Sequence, residues 1–180
     1  MRLVLKRCSG ALFVHKNIHF SRDIEICTKY KTKSTINSVN FFWKLMKINS
    51  SPQSFMIRDK DSSIVSCSPE TLVNRVGNFI NTKPIAGTLK KNKYTTKSKA
   101  LKFFRNNIKE TKEHNMIVDM ERSDLSRICK SGSVKILKKK YVEEYKHLFH
   151  YVTSIQGILK KNTTPKNIIK SMMPGGSVIG

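Results

Sequence analysis

The spacing of apolar and polar positions divides this chain into segments of two kinds. Ser38 to Met46 reads SVNFFWKLM, with Phe41, Phe42, Leu45 and Met46 at helical spacing behind a polar start. That pattern predicts an amphipathic helix packing those four side chains inward. Asn49-Ser-Ser-Pro52 breaks it. From Ser54 to Cys67, short apolar runs flank Asp59-Lys-Asp61 and predict two strands joined by a turn. Past the polar stretch after Lys93, a helix is expected at roughly Lys97 to Glu113, a short buried strand at Met116 to Met120, and another strand at Ser133-Val-Lys-Ile136. Val142 to Leu159 repeats apolar residues every three or four positions and predicts a helix. The mixture predicts an α+β fold.

The chain has 180 residues, enough for one domain with a real core. It contains no run of 18 apolar residues, so no membrane span is expected. The opening MRLVLKRCSGALFVHK is too short and broken in its apolar part for a secretory leader. A soluble, cytoplasmic protein is the expectation. The net charge of +23 raises the question of nucleic acid. Yet the lysines are dispersed, with runs only at Leu89–Lys93 and Lys138–Lys140, and no nucleic-acid motif accompanies them. Weak nonspecific binding is expected and a specific nucleic-acid partner is not. Cys8, Cys27, Cys67 and Cys129 form no CxxC pair and are read as reduced thiols.

Four places carry candidate chemistry. Glu110 and Glu113 are spaced i, i+3, so a helix would bring both carboxylates to one side, either as a solvated acidic face or as ligands for a cation. Cys67-Ser-Pro-Glu70 reads as a turn or helix start, or as a carboxylate placed for acid chemistry. Lys83-Pro-Ile-Ala-Gly-Thr88 puts a glycine where backbone can approach a ligand closely, next to a hydroxyl. His150, with His147 one helical turn earlier, is either a packed core histidine or a functional one.

These segments, in this order, resemble the chorismate-utilising enzymes, the family of anthranilate synthase component I, aminodeoxychorismate synthase component I and the isochorismate synthases. KETKEHNMIVDMERSDLSRIC is similar to the family's KExAEHxMIVDLxRNDLGRxC block, PIAGT and SPE stand as they do there, and VEEYKHLFHYVTSIQGIL resembles IExYxxVxHLVSxVxGxL. NIHFSRDIEI, with Ser21 and Arg22, resembles a family strand, NSSPQSFMI resembles NPxPxSxFL, and MPGGSVIG resembles the start of FPGGSITGAPK. The similarity spans residues 17 to 180 and leaves 1 to 16 unassigned. It implies a partial chorismate-binding fold, whose complete form is a β-sandwich wrapped by helices.

The resemblance also implies site residues. Glu113 would be a Mg²⁺ ligand with Glu110 beside it, Gly87 and Thr88 would contact chorismate, Glu70 would be the general acid, and His150 would orient and polarise groups around the ring, with Thr153 on the family's serine. Asn17 occupies the position of the lysine base of isochorismate-forming members, with Lys16 adjacent, which favours an aminating member. Ammonia would come from a separate glutamine amidotransferase, since no G-x-C-x-G nucleophile elbow occurs here. Ser54, the VDMER block and the PGGS ending favour 4-amino-4-deoxychorismate as product. Ala86, where some relatives carry a nucleophilic lysine, favours anthranilate. Gln53 and Ser54 depart from the tryptophan-binding core of anthranilate synthases, which speaks against tryptophan control. Lys91 replaces a usual arginine, and Ser123 and Ser126 replace Asn and Gly, the latter implying strain at a positive-φ position. Because the sequence stops before APK, the remaining chorismate-binding arginine and tyrosine and another magnesium glutamate are expected to be missing, leaving a truncated or inactive remnant as the alternative.

Overall fold

The computed structural model describes residues 5–8, 11–14 and 36–175; the expectations for Lys16, Asn17, Ser21, Arg22 and Cys27, and for the end of the PGGS segment, lie outside the described residues. An N-terminal hairpin pairs β1 (Leu5–Cys8) with β2 (Ala11–Val14). Helix α1 (Ser38–Ile48) follows, capped by Asn37, whose side chain accepts from Asn40 N–H. It rests on the hairpin β3 (Gln53–Arg58) and β4 (Ser63–Ser68), the expected strand pair around Asp59 to Asp61. Phe42, Leu45 and Met46 are only half-buried and Phe41 is 45% exposed, so this helix does not contribute the inward face its pattern predicts.

The main sheet comprises β5 (Thr71–Val76), β6 (Phe79–Lys83), β7 (Ile85–Lys90), β8 (Lys135–Glu144) and β9 (Leu148–Ile158). Strand β9 is its axis. Strand β8 runs along one flank, while β6 and β7 share the other end to end, at residues 155–158 and 148–152 of β9. Pro84 falls at the break between them, where no ladder N–H is needed. Helices α2 (Lys97–Asn106) and α3 (Ile108–Ile128) cover one face, and α4 (Pro165–Met172), with a capping box from Thr164 and Asn167, packs on α3.

Strand alternation accounts for the core. Phe149, Tyr151, Thr153, Ile155 and Gly157 all face the helices. Ile155 joins Ile80, Val118, Leu125 and Met172 in one apolar cluster, while Phe149 and Tyr151 join Ala100, Phe104 and Val142 in another. Burying each large side chain contributes about 1.5–3 kcal/mol.

Three sequence expectations are corrected here. The helix at Lys97 to Glu113 is two helices meeting at Asn107, whose N–H closes α2 on Phe103 and whose side chain caps α3 through the N–H groups of Lys109 and Glu110. Met116 to Met120 is not a strand; it lies inside α3, where buried positions 114, 117, 118, 121, 124, 125 and 128 follow the helical period. Val142 to Leu159 is not a helix but the end of β8, a turn and β9. Its apolar residues satisfy both periods, and the β-branched and aromatic Tyr151, Val152, Thr153 and Ile155 with three strand partners decide for the sheet. Among the described residues, no helix is long and apolar enough to cross a membrane.

Gly157 is where β9 meets the end of α3: a Cβ there would stand 2.4 Å from Cys129 Sγ. Gly157→Ala should therefore cost about 2 kcal/mol in urea unfolding through overpacking. Gly77→Ala, at φ +59 but in open space, should cost about 1 kcal/mol. A smaller loss at Gly157 than at Gly77 would contradict the packing described.

Candidate active site

Thr88 and His150 face each other directly across β7 and β9. Thr88 Oγ1 lies 3.1 Å from His150 Nδ1, and the Gly87 carbonyl lies 3.4 Å from the same nitrogen. A carbonyl only accepts, so Nδ1 carries the proton and donates. Burial holds the His150 pKa below its ordinary value, against the opposing effects of the Gly87 carbonyl and Glu143. The neutral imidazole then keeps Nε2 as a bare acceptor. Tyr145 packs edge-on against the ring at 5.2 Å. Glu143, the cross-strand partner of His150 on β8, accepts from Tyr145 and Tyr141 and pairs with Lys83. Despite its burial, these hydrogen bonds and the Lys83 charge keep Glu143 below the usual carboxylate range. The result is a polar half-buried cluster on the sheet face away from α2 and α3.

Gly87 has a structural reason to be glycine. Its φ is +109°, and a Cβ would meet the Phe104 ring at 3.0 Å and Tyr151 Cβ at 3.1 Å. The β7 ladder shifts register between Ile85 and Thr88, a bulge that re-aims the Ala-Gly-Thr backbone. Ala86 is buried, and its carbonyl is held by His114 Nδ1 at 3.1 Å. His114 Nε2 in turn lies 2.7 Å from Thr153 Oγ1. Since Ala86 O can only accept, His114 is the Nδ1–H tautomer and Nε2 receives the Thr153 hydroxyl proton. Burial lowers the His114 pKa to about 4, opposed by the Ala86 carbonyl and helped by the nearby Lys140 charge.

Glu110 and Glu113 occupy the first two turns of α3 and are half-buried. Glu113 lies 3.9 Å from Lys109 Nζ. This helix packs beside β7 on the face opposite His150, and β7 is an edge strand among the described residues. The helix that bears the two carboxylates and the Thr88–His150 pair therefore lie on opposite sides of the same strand. Glu70 is not in a helix start; its segment links β4 to β5, and its carboxylate accepts from Ile85 N–H at 3.1 Å, at the beginning of β7. Among the described residues, no group of three or more His, Cys, Asp or Glu converges on one point. Magnesium usually takes one or two protein carboxylates, with water and anionic substrate supplying the other oxygens, so Glu113 and Glu110 fit as the protein's share.

Ser123 and Ser126 lie within α3 and neither has positive φ, so the expected strain at Ser126 is absent. Lys91 pairs with Glu144 and sits 5.9 Å from the Phe149 ring centroid. His147 Nε2 donates to the Ile48 carbonyl, 3.1 Å away, at the α1 end rather than in the cluster. The sequence reading gave no role to His114, Glu143, Tyr145 or the buried pair of Thr82 and Glu121, whose atoms are 2.9 Å apart. His114 and Glu121 follow the helical period of α3, a signal lost once Met116 to Met120 is read as a strand.

The low pKa of His114 has a sign. Below about pH 6.5 the unfolded chain takes up a proton that folded His114 refuses until about pH 4, so stability is full above that window and falls as pH drops through it. Urea unfolding should show a loss on the order of a few kcal/mol between these pH values that is much smaller in His114→Gln. Equal slopes in both proteins would contradict the buried neutral imidazole.

Comparison with known proteins matches this geometry to a family. The model of the chorismate binding enzyme family matches residues 21–180. An anthranilate synthase component I-like protein of Synechocystis is 38% identical over 151 residues, covering 83% of this chain and 31% of the relative. Aminodeoxychorismate synthase component 1 of Bacillus subtilis is 32% identical over 158 residues, covering 87% and 34%. The crystal structure of anthranilate synthase component I from Streptococcus pneumoniae superposes with a TM-score of 0.71 at 31% identity, covering 81% of this chain and 32% of that one. The chain thus spans about a third of the length of these relatives. With the family model covering nearly all of it, the chain belongs to the chorismate binding enzymes.

Proposed function

We propose that this chain supplies the strand and helix framework of a chorismate aminase, and that the product is 4-amino-4-deoxychorismate on the para-aminobenzoate branch. The observation that carries the reading is the Thr88–His150 pair at the left-handed Gly87, beside a helix bearing Glu113 and Glu110. In this reading the Thr88 hydroxyl and the Gly87 backbone orient chorismate, and Nε2 of His150 polarises groups at the ring. Glu70 donates the proton to the departing C4 hydroxyl. Glu113, with Glu110 beside it, holds Mg²⁺, which when bound neutralises a substrate carboxylate. Ammonia comes from a separate glutamine amidotransferase.

Support for this product comes from the relative in Bacillus subtilis, together with Ser54 and the VDMER block. Anthranilate is the second reading, favoured by Ala86: a buried methyl group offers no amine for covalent attachment to the ring.

Chorismate, Mg²⁺ and ammonium salt at alkaline pH, with products separated by chromatography, test the proposal. Two arms are needed, the chain alone and the chain mixed with the carboxy-terminal region of the Bacillus relative. The expected result is 4-amino-4-deoxychorismate in the mixture, falling at least about hundredfold in Glu113→Ala and on chelation of the metal. Anthranilate would transfer the chain to the tryptophan branch. A folded chain giving neither product in both arms would mark a catalytically inert remnant.

A further inference from the structure

On the helix side of β9, next in sequence to His150, Tyr151 presents an unusual problem. Its ring is fully buried at 0% exposure, stacked on Phe104 at 5.0 Å and tilted against His114 at 4.7 Å. Its hydroxyl makes no hydrogen bond of ordinary geometry to any described group. Burial raises the phenol pKa more than the neighbouring Arg105 lowers it, so the O–H stays protonated. Arg105 has only donors to offer it. A buried hydroxyl proton without an acceptor is costly, and natural structures rarely leave one so.

Tyr151 borders a cavity of about 250 Å³ together with Arg105, Thr111, Lys139 and Lys140. Thr111 already directs its proton to the Phe104 carbonyl. Opposite, β8 carries one extra residue between Lys138 and Tyr141, while their partners Ser154 and Val152 are two apart. This bulge contains Lys139 and Lys140, and Lys140 takes up φ +50°, a conformation that side chains bearing Cβ rarely adopt. Burial and the adjacent Lys139 charge together lower the Lys140 pKa. No salt bridge among the described residues engages Arg105, Lys139 or Lys140. One place therefore gathers a strained backbone residue, two crowded like charges, a guanidinium and an unpaired O–H. A negatively charged acceptor answers the charges and the O–H, and the bulge fixes the backbone that presents them.

We propose that this cavity binds a small oxyanion, a phosphate or carboxylate group, held between the Lys139–Lys140 bulge and Arg105 with the Tyr151 hydroxyl donating from its floor. The cavity shares no residue with the Thr88–His150 pair. It is nevertheless joined to the Ala86 segment by three hydrogen bonds in series, from Lys140 N–H to Thr153 Oγ1 at 3.1 Å, from the Thr153 hydroxyl to His114, and from His114 to the Ala86 carbonyl.

The test is calorimetric titration and thermal unfolding of the chain with inorganic phosphate and, separately, with malonate, at ionic strength fixed by sodium chloride. Saturable binding of either probe is expected, and which one saturates identifies the oxyanion. Arg105→Gln, a change at an exposed residue, should raise Kd about tenfold. Tyr151→Phe keeps the ring stack, so it should weaken binding several-fold while leaving the anion-free protein at least as stable. Lys166→Gln on α4 should leave Kd unchanged. The proposal is overturned by no response to either probe, by stabilisation that follows ionic strength alone, or by equal Kd in the parent, Arg105→Gln and Tyr151→Phe.

Discussion

Four elements of this protein are tied by one directed chain of hydrogen bonds. Lys140 N–H of β8 donates to Thr153 Oγ1 of β9, the Thr153 hydroxyl donates to His114 of α3, and His114 Nδ1 donates to the Ala86 carbonyl of β7. Each atom has the role its neighbour needs, and the imidazole must be neutral for the sequence to hold. Burial ensures that neutrality. Removing one partner would leave another buried polar group unsatisfied, which costs more than the bond itself contributes.

This network fixes the backbone from which the candidate site is built. It anchors Ala86, the bulge then turns Gly87 into the left-handed region under Phe104 and Tyr151, and Thr88 emerges on the opposite face against His150. The core that organises the fold thus extends without a break to the backbone of the family's Gly-Thr pair. Glu110 and Glu113 share the same support, since His114 follows Glu113 directly and lies one turn beyond Glu110.

The legible parts of the sequence were those where local chemistry decides. Pro52 and the Asp59 to Asp61 turn bound the β3–β4 hairpin, and the motifs around Thr88, Glu113 and His150 carry the family resemblance in short words. What misled was period. Val142 to Leu159 satisfies helical and strand spacing at once, and only pairing with β6, β7 and β8 selects the strand. MIVDM looks like a strand when cut from α3, yet His114, Ile117, Glu121 and Leu125 form one buried helical stripe. The partners of His150 were invisible for a related reason: Glu143 and Tyr145 reach it across a β-ladder, which a helical reading of the segment cannot supply.

Ring-nitrogen NMR of His114 tests the central network most directly. At pH 6 the account predicts a neutral imidazole protonated at Nδ1, with Nε2 showing the shift of an unprotonated nitrogen that accepts a hydrogen bond. An imidazolium, or the tautomer protonated at Nε2, would contradict it, because the Ala86 carbonyl or the Thr153 hydroxyl would then face the wrong partner.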